Sequence, residues 1–184
     1  FHDALFEAVS GLSTTGATIL TDIEAQPKAI LLWRSMLTAM GGAGIVMFAV
    51  ALLPFLGIGG MQMFQRENSD FNDKFMPKFH YIAKRIFWVY FFLCGLCAIC
   101  LYWAGMNWFD AINHAMSTIS TAGFSTKNKS VLFYDNLNIE VVISVFMVVG
   151  ALPMTFYIVL LQNKFRQSLR TEQVVSFLKV LFVY

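Results

Sequence analysis

The chain has 184 residues, 58% of them hydrophobic and only 13% charged, with a formal net charge of +2. An ordinary soluble domain carries about 25% charged residues. The shortage is concentrated: no Asp, Glu, Lys or Arg occurs in Ser35–Gln65, Ile86–Phe109 or Val141–Asn163, runs of 31, 24 and 23 residues. A bilayer-spanning helix needs about 20 mostly apolar residues. The composition therefore argues for an integral membrane protein with three full spans. Three buried helices of a large soluble protein are the weaker alternative, because so short a chain would keep little polar surface.

Residues 1–13 read as a short apolar helix with Asp3 near its start. At 1.5 Å per residue it is roughly 20 Å long, too short for a hydrocarbon core about 30 Å thick. The loop Ser13-Thr14-Thr15-Gly16-Ala17-Thr18 follows at once. A half-length helix that enters and returns is expected. Irregular backbone at membrane depth survives only where protein or water covers it, so this loop should line a cavity. The first span runs from about Ala29 to Leu53 and carries Gly41-Gly42-Ala43-Gly44, small residues that allow close helix approach. Pro54, Gly57, Gly59 and Gly60 should end it. A mixed-charge surface loop follows, from Gln65 to Lys78, closed by Pro77.

The second span is placed at about Ile86 to Gly105. Trp88 and Tyr90 at one end, with Tyr102, Trp103 and Trp108 at the other, fit interfacial aromatic belts. Cys94, Cys97 and Cys100 lie within it as small packing residues, and i, i+3 spacing on a helix suits no disulfide. A second half-helix, about Phe109 to Ile119, leads to the loop Ser120-Thr121-Ala122-Gly123-Phe124-Ser125. After the polar stretch Thr126 to Asn138, a third span runs from about Ile139 to Gln162, with a kink expected at Pro153. Residues 163–184 begin basic and end apolar.

The two loops belong to an internal repeat. A shift of 107 places Asp3, Ala4, Ala8, Ser10, Ser13, Thr14 and Gly16 on Asp110, Ala111, Ala115, Ser117, Ser120, Thr121 and Gly123, 7 identities in 18 positions. Two spans separate the loops, so both reach the same membrane face. Nine of the 13 Lys and Arg lie between the first two spans or after the third. The positive-inside rule makes that side cytoplasmic and the loops extracellular or periplasmic. The order is that of outer helix, pore loop, inner helix units, with the first outer helix missing. No leader with a charged start and cleavage site is seen, and the chain reads as a piece of a longer protein.

Cation filters of this kind replace water with backbone carbonyls and Thr hydroxyls from Gly-containing loops. Glycine opens backbone conformations closed to other residues. A half-helix aims its negative C-terminal end at the ion, and Asp3 and Asp110 complement the opposite poles. Neither loop contains a carboxylate. The candidate pore-lining residues are thus Ser13, Ala17, Thr18, Ser120, Phe124 and Ser125, beside the Thr14, Thr15, Gly16, Thr121, Ala122 and Gly123 considered below.

Asp3 through Thr18 resembles the first pore loop of bacterial Trk-type potassium uptake membrane subunits, in the wider Trk/Ktr/HKT superfamily. Phe109-Asp110-Ala111-Ile112 with Ala122-Gly123-Phe124-Ser125-Thr126 resembles their second. Trp33-Arg34, Gly41-Gly42-Ala43-Gly44-Ile45, Leu53-Pro54, Gly59-Gly60-Met61-Gln62 and Ala104-Gly105-Met106 support this. The resemblance implies an all-α, potassium-channel-like membrane fold of four repeated units in one chain, about two of them here. It implies potassium as the transported ion, with ligand oxygens from Thr14, Thr15, Thr121 and Ala122 and filter glycines Gly16 and Gly123. It further implies a bacterial inner membrane, a homodimer, and a cytosolic nucleotide-binding regulatory subunit facing residues 65–85. No organic cofactor and no nucleic acid are expected. The expected division is 1–64, first pore loop and inner helix; 65–85, cytoplasmic linker; 86–162, second repeat; 163–184, a segment leading onward.

Other side chains have duller readings. His2, His80 and His114 show no ligand spacing and are taken as packing or surface residues. Glu7 either shapes the field at the outer mouth or sits solvated behind the filter. Arg34 either snorkels to the interface, the favoured reading, or brakes cations electrostatically. An intramembrane enzyme would need a nucleophile, base or metal-ligand set within the spans, and none is present. A non-conducting scaffold or assembly module is the remaining alternative, but it leaves the in-register Thr, Ser and Gly unexplained.

Overall fold

A computed structural model describes residues 1–52, 71–152, 156–157, 176–177 and 179–180, with backbone only at 45–52 and 71–83. The described elements are helical: α1 (His2–Leu12), α2 (Lys28–Leu52), α3 (Phe71–Trp103), α4 (Trp108–Ile119), a short 3₁₀ turn (Ser130–Tyr134) and α5 (Leu137–Ala151). The 11 residues of α1 and 12 of α4 give helices of roughly 16 and 18 Å, whereas the 25 of α2 and 33 of α3 reach roughly 37 and 50 Å. Two half-length helices thus stand among long ones. Lys84–Trp103 is long and apolar enough to cross a membrane; Leu137–Ala151 is apolar but shorter.

Local chemistry explains the ends. Asn107 caps α4: its Oδ1 accepts from the Asp110 backbone N at 2.9 Å, and its Nδ2 donates to Asp110 Oδ2 at 2.6 Å. Asn136 caps α5 by accepting from Asn138 N at 3.0 Å. At the end of α3, Gly105 N donates to Tyr102 O and Met106 N to Leu101 O, with Gly105 at φ +112°. That is a Schellman end with the usual glycine in the left-handed position.

Two sequence expectations need correction. The loop placed at Gln65–Lys78 is helical from Phe71 onward, as the first part of α3. Lys74, Lys78, Lys84 and Arg85 are good helix formers whose charge moves this segment out of hydrocarbon without breaking it, and Pro77 lies inside the helix instead of closing a loop before it. The third span is not one continuous helix. It stops at Ala151, and Leu152 is extended at φ −66°, ψ 142°, because a residue before proline is driven out of the α region. Residues 53–70, including the terminating Pro54 and glycines, and 158–175 lie outside the described residues.

The core lies between α2, α3, α4 and α5, which pack on one another. Cys97, Leu101, Ala111, Ala115, Ile119 and Ile139 are buried there. The cysteines are unpaired thiols, and Cys94 and Cys97 pack inward as expected. Trp88, Trp103 and Trp108 are exposed, as belt residues should be. Tyr90 departs from that assignment: it is 1% exposed, with its hydroxyl close to Gly42 and Ser120.

Glycines set the helix spacing in both halves. A Cβ on Gly41 of α2 would stand 2.1 Å from Leu12 O, and one on Gly150 of α5 would stand 2.7 Å from Ile119 O. Leu12 and Ile119 are repeat-related last residues of the half-helices. Each long helix therefore meets the end of a half-helix at a residue without a side chain.

Candidate functional site: two paired Thr/Gly loops

The loops leaving α1 and α4 share one backbone conformation. Thr14 and Thr121 have φ of +54° and +53°, and Gly16 and Gly123 have +73° and +88°. Thr14 N donates to Gly11 O and Thr15 N to Ser10 O, both at 3.0 Å; Thr121 N donates to Thr118 O at 3.0 Å and Ala122 N to Ser117 O at 2.9 Å. These are the Schellman bonds seen at Gly105, but with threonine in the left-handed position. For a β-branched residue that conformation is a genuine outlier, costing roughly 1–2 kcal/mol. It occurs twice, at positions related by the 107-residue shift.

The loops also meet. A Cβ on Gly16 would lie 1.7 Å from Ala122 O, while one on Gly123 would meet nothing within 4 Å. Among the described residues, no hydrogen bond ends on the carbonyl oxygens of Thr14, Thr15, Gly16, Thr121, Ala122 or Gly123. The helix-closing bonds use carbonyls one turn earlier and leave these free. No cluster of three His, Cys, Asp or Glu side chains suited to a metal occurs among the described residues. The oxygens these loops offer a cation are backbone carbonyls and hydroxyls.

The other candidate pore-lining residues mostly hold the loops in place. Ser13 Oγ lies 2.8 Å from Thr15 Oγ1. Ser10 Oγ donates to Ala17 O at 2.6 Å, so that carbonyl is occupied. Ser120 Oγ turns back to Met116 O at 2.8 Å. Thr18 Oγ1 donates to Glu7 Oε1 at 2.6 Å, and Ser125 Oγ lies 3.0 Å from His114 Nε2. Phe124 is buried and turns its ring towards α1 and α2. The repeat is broken at Ser117, which matches Ser10 but is buried with no partner for its Oγ.

Behind the first loop lies a pair that sequence reasoning left apart. Arg34 Nε donates to Glu7 Oε2 at 2.8 Å, with both side chains buried. Glu7 Oε1 also accepts from Ile19 N at 2.9 Å. Arg34 therefore does not snorkel, and Glu7 sits behind the loop but is not solvated. The ion pair and the hydrogen bonds to Glu7 offset part of the cost of burying both charges. Breaking such a pair by removing one partner costs about 3–5 kcal/mol.

His114 occupies the repeat-related position of Glu7, and Ser125 that of Thr18. Both half-helices thus hold their loop by a side chain at the same site, a carboxylate in one and an imidazole in the other. His114 Nδ1 lies 2.9 Å from Asp110 O. The signal was available in the 107-residue alignment, which pairs these residues without identity. His2 stacks edge-on against Phe1.

At the α4 N-terminus, Asp110 accepts from Thr126 Oγ1 at 2.6 Å and Tyr134 OH at 2.8 Å. A carboxylate there complements the helix dipole. Burial pushes the Tyr134 hydroxyl above its ordinary pKa, so it remains a donor. Beyond the loops, residues 22–24 grip 127–128. Asn128 Oδ1 accepts from Ile23 N at 2.7 Å, Asn128 Nδ2 donates to Asp22 Oδ1 at 3.0 Å, and Lys127 pairs with Glu24 at 3.9 Å.

Among the described residues, two half-length helices end in strained Thr/Gly loops and pack against longer apolar helices, a helical class of protein with backbone oxygens left free at the loops. A family model described as TrkH, cation transport protein, matches residues 1–182. The chain belongs to that family. It is similar to the Trk system potassium uptake protein TrkH of Halomonas elongata, 42% identical over 159 residues, 85% of this chain and 33% of that one. It is similar to TrkG of Escherichia coli K12, 41% identical over 167 residues, 89% and 34% of the two chains. The crystal structure of the potassium transporter TrkH from Vibrio parahaemolyticus superposes with a TM-score of 0.72 at 40% identity, covering 84% of this chain and 30% of that one. The chain spans about a third of the length of the curated relatives it matches.

Proposed function

We propose that this chain supplies two of four filter loops of a potassium uptake pore in the bacterial inner membrane. One observation carries the reading: Thr14 and Thr121 hold φ of +54° and +53° in register, followed by Gly16 and Gly123 at positive φ. A strained conformation repeated at equivalent sites suggests that position-specific demands outweigh its cost. The demand that fits is a set of carbonyls left free of hydrogen bonds. A dehydrated potassium ion would take oxygens of Thr14, Thr15, Thr121 and Ala122, with Gly16 and Gly123 granting the backbone freedom. The C-terminal poles of α1 and α4 add partial negative charge without a carboxylate that would favour divalent ions.

In this reading the loops face outward and residues 65–85 face the cytoplasm, where a nucleotide-binding regulatory subunit docks. Two such chains pair as a homodimer, and further repeats of the same chain close the ring. Rubidium uptake by cells expressing the full-length chain tests the function. Gly16→Ala and Gly123→Ala should lower uptake, or its potassium-over-sodium selectivity, per unit of protein in the membrane. Normal transport by both variants sinks the filter assignment. Charge reversal at Arg66 and Lys74 should alter regulation and leave selectivity unchanged.

A further inference from the structure

Arg34 touches both loops from behind. Its Nε is 2.8 Å from Glu7 Oε2 and its Nη2 is 3.1 Å from Thr18 Oγ1. Its guanidinium carbon also lies 4.1 Å from the ring centroid of Phe124. Glu7 and Thr18 belong to the first half-helix and loop; Phe124 follows Gly123 in the second. Phe124 also reaches Gly11 of α1, where a Cβ would lie 3.4 Å from its ring. One buried cation on α2 is thus shared by an ion pair on one loop and a ring face on the other.

The chemistry suits such a tie. The guanidinium is planar and always charged, so it donates in its plane and stacks on its face at once. Lysine keeps the charge but offers neither the fork nor the flat face. Desolvation strengthens the cation–ring attraction, and Arg34 and Phe124 are each at most 4% exposed. The hydrogen bonds of Arg34 go to Glu7 and Thr18, and none of them ends on the free carbonyls.

We propose that Arg34, held by Glu7 and stacked on Phe124, is a positioning residue that fixes the spacing between the two filter loops and thereby their ion selectivity. This rests on the filter reading above. The spacing matters because Gly16 and Ala122 O already meet at the loop junction, so a small relative shift moves carbonyls of both loops.

The test uses the full-length chain in cells lacking their own potassium uptake, with rubidium uptake and its inhibition by sodium as readouts. Arg34→Lys retains the charge, and Phe124→Leu retains the ion pair while removing the ring. Both should retain uptake and reduce potassium-over-sodium selectivity at least about threefold, a small energetic change by the tenfold-per-1.4 kcal/mol scale. Glu7→Gln with Arg34→Met should restore the protein level lost in Arg34→Met alone, since it removes the orphaned buried charge, but should not restore selectivity. If Arg34→Lys fails to accumulate, Phe124→Leu decides alone. Wild-type selectivity in Phe124→Leu overturns the proposal while leaving the transport reading intact. Absence of rubidium uptake by the unmodified chain instead overturns the transport reading itself.

Discussion

Threonine in the left-handed region is uncomfortable, and this chain places it there twice where its other Schellman end uses Gly105. If the threonines serve the loop and not the fold, glycine should relieve strain without supporting function. Thr14→Gly is therefore expected to hold thermal stability or raise it by up to about 1 kcal/mol, after allowing for the greater unfolded-chain entropy of glycine. Uptake or selectivity should fall in the same variant. A large loss of melting temperature in detergent would show that the threonine side chain supports the fold. The two filter glycines should not respond alike. Alanine at Gly16 adds a methyl 1.7 Å from Ala122 O on top of a φ of +73°, whereas at Gly123 only the φ of +88° opposes it. Gly16→Ala should lose more stability and more uptake than Gly123→Ala; equal losses would contradict the observed contact.

Glycine also governs how the elements pack. Gly41 and Gly150 let α2 and α5 press against the final carbonyls of α1 and α4. Gly41→Ala must push the helices apart and should cost about 1–3 kcal/mol, read as a lowered melting temperature. Gly95 in α3 has nothing within 4 Å, so Gly95→Ala should be neutral or stabilising by about 0.5–1 kcal/mol. A destabilising Gly95→Ala would place an unseen neighbour on that face. Half-helix lengths, the small-residue patch at 41–44 and the two loops were all legible from spacing and hydropathy. The helical character of 71–85 was not, because charge was read as a loop signal when it marks only departure from hydrocarbon. The break at Leu152 was half legible: Pro153 announced a kink, but not that the helix stops.

Across the whole molecule, the Gly16–Ala122 contact, Arg34 between Glu7 and Phe124, and the grip of residues 22–24 on 127–128 join the halves beside the packing of α2 on α3 and α4. The grip on 127–128 is sensitive to acid. The hydrogen bond from Asn128 holds the Asp22 carboxyl below its ordinary 3.8. A carboxylate with a depressed folded pKa stabilises fully above its unfolded value, and loses that contribution as pH falls through the folded value. The melting-temperature difference between wild type and Asn128→Ala should therefore be constant above pH 5 and shrink below 3.8. A difference that grows on acidification would contradict the assigned partner. The sequence by itself determined the membrane class, the half-helices and the pairing of the loops, because periodicity, charge and repetition are local properties written along the chain. It placed Glu7, Arg34, Phe124 and His114 without partners. Only the tertiary structure decided that Arg34 is buried between two loops 107 residues apart, that Tyr90 is internal and that threonine takes a glycine's conformation. A buried ion pair and a strained dihedral exist only where distant segments converge, and no local pattern encodes that convergence.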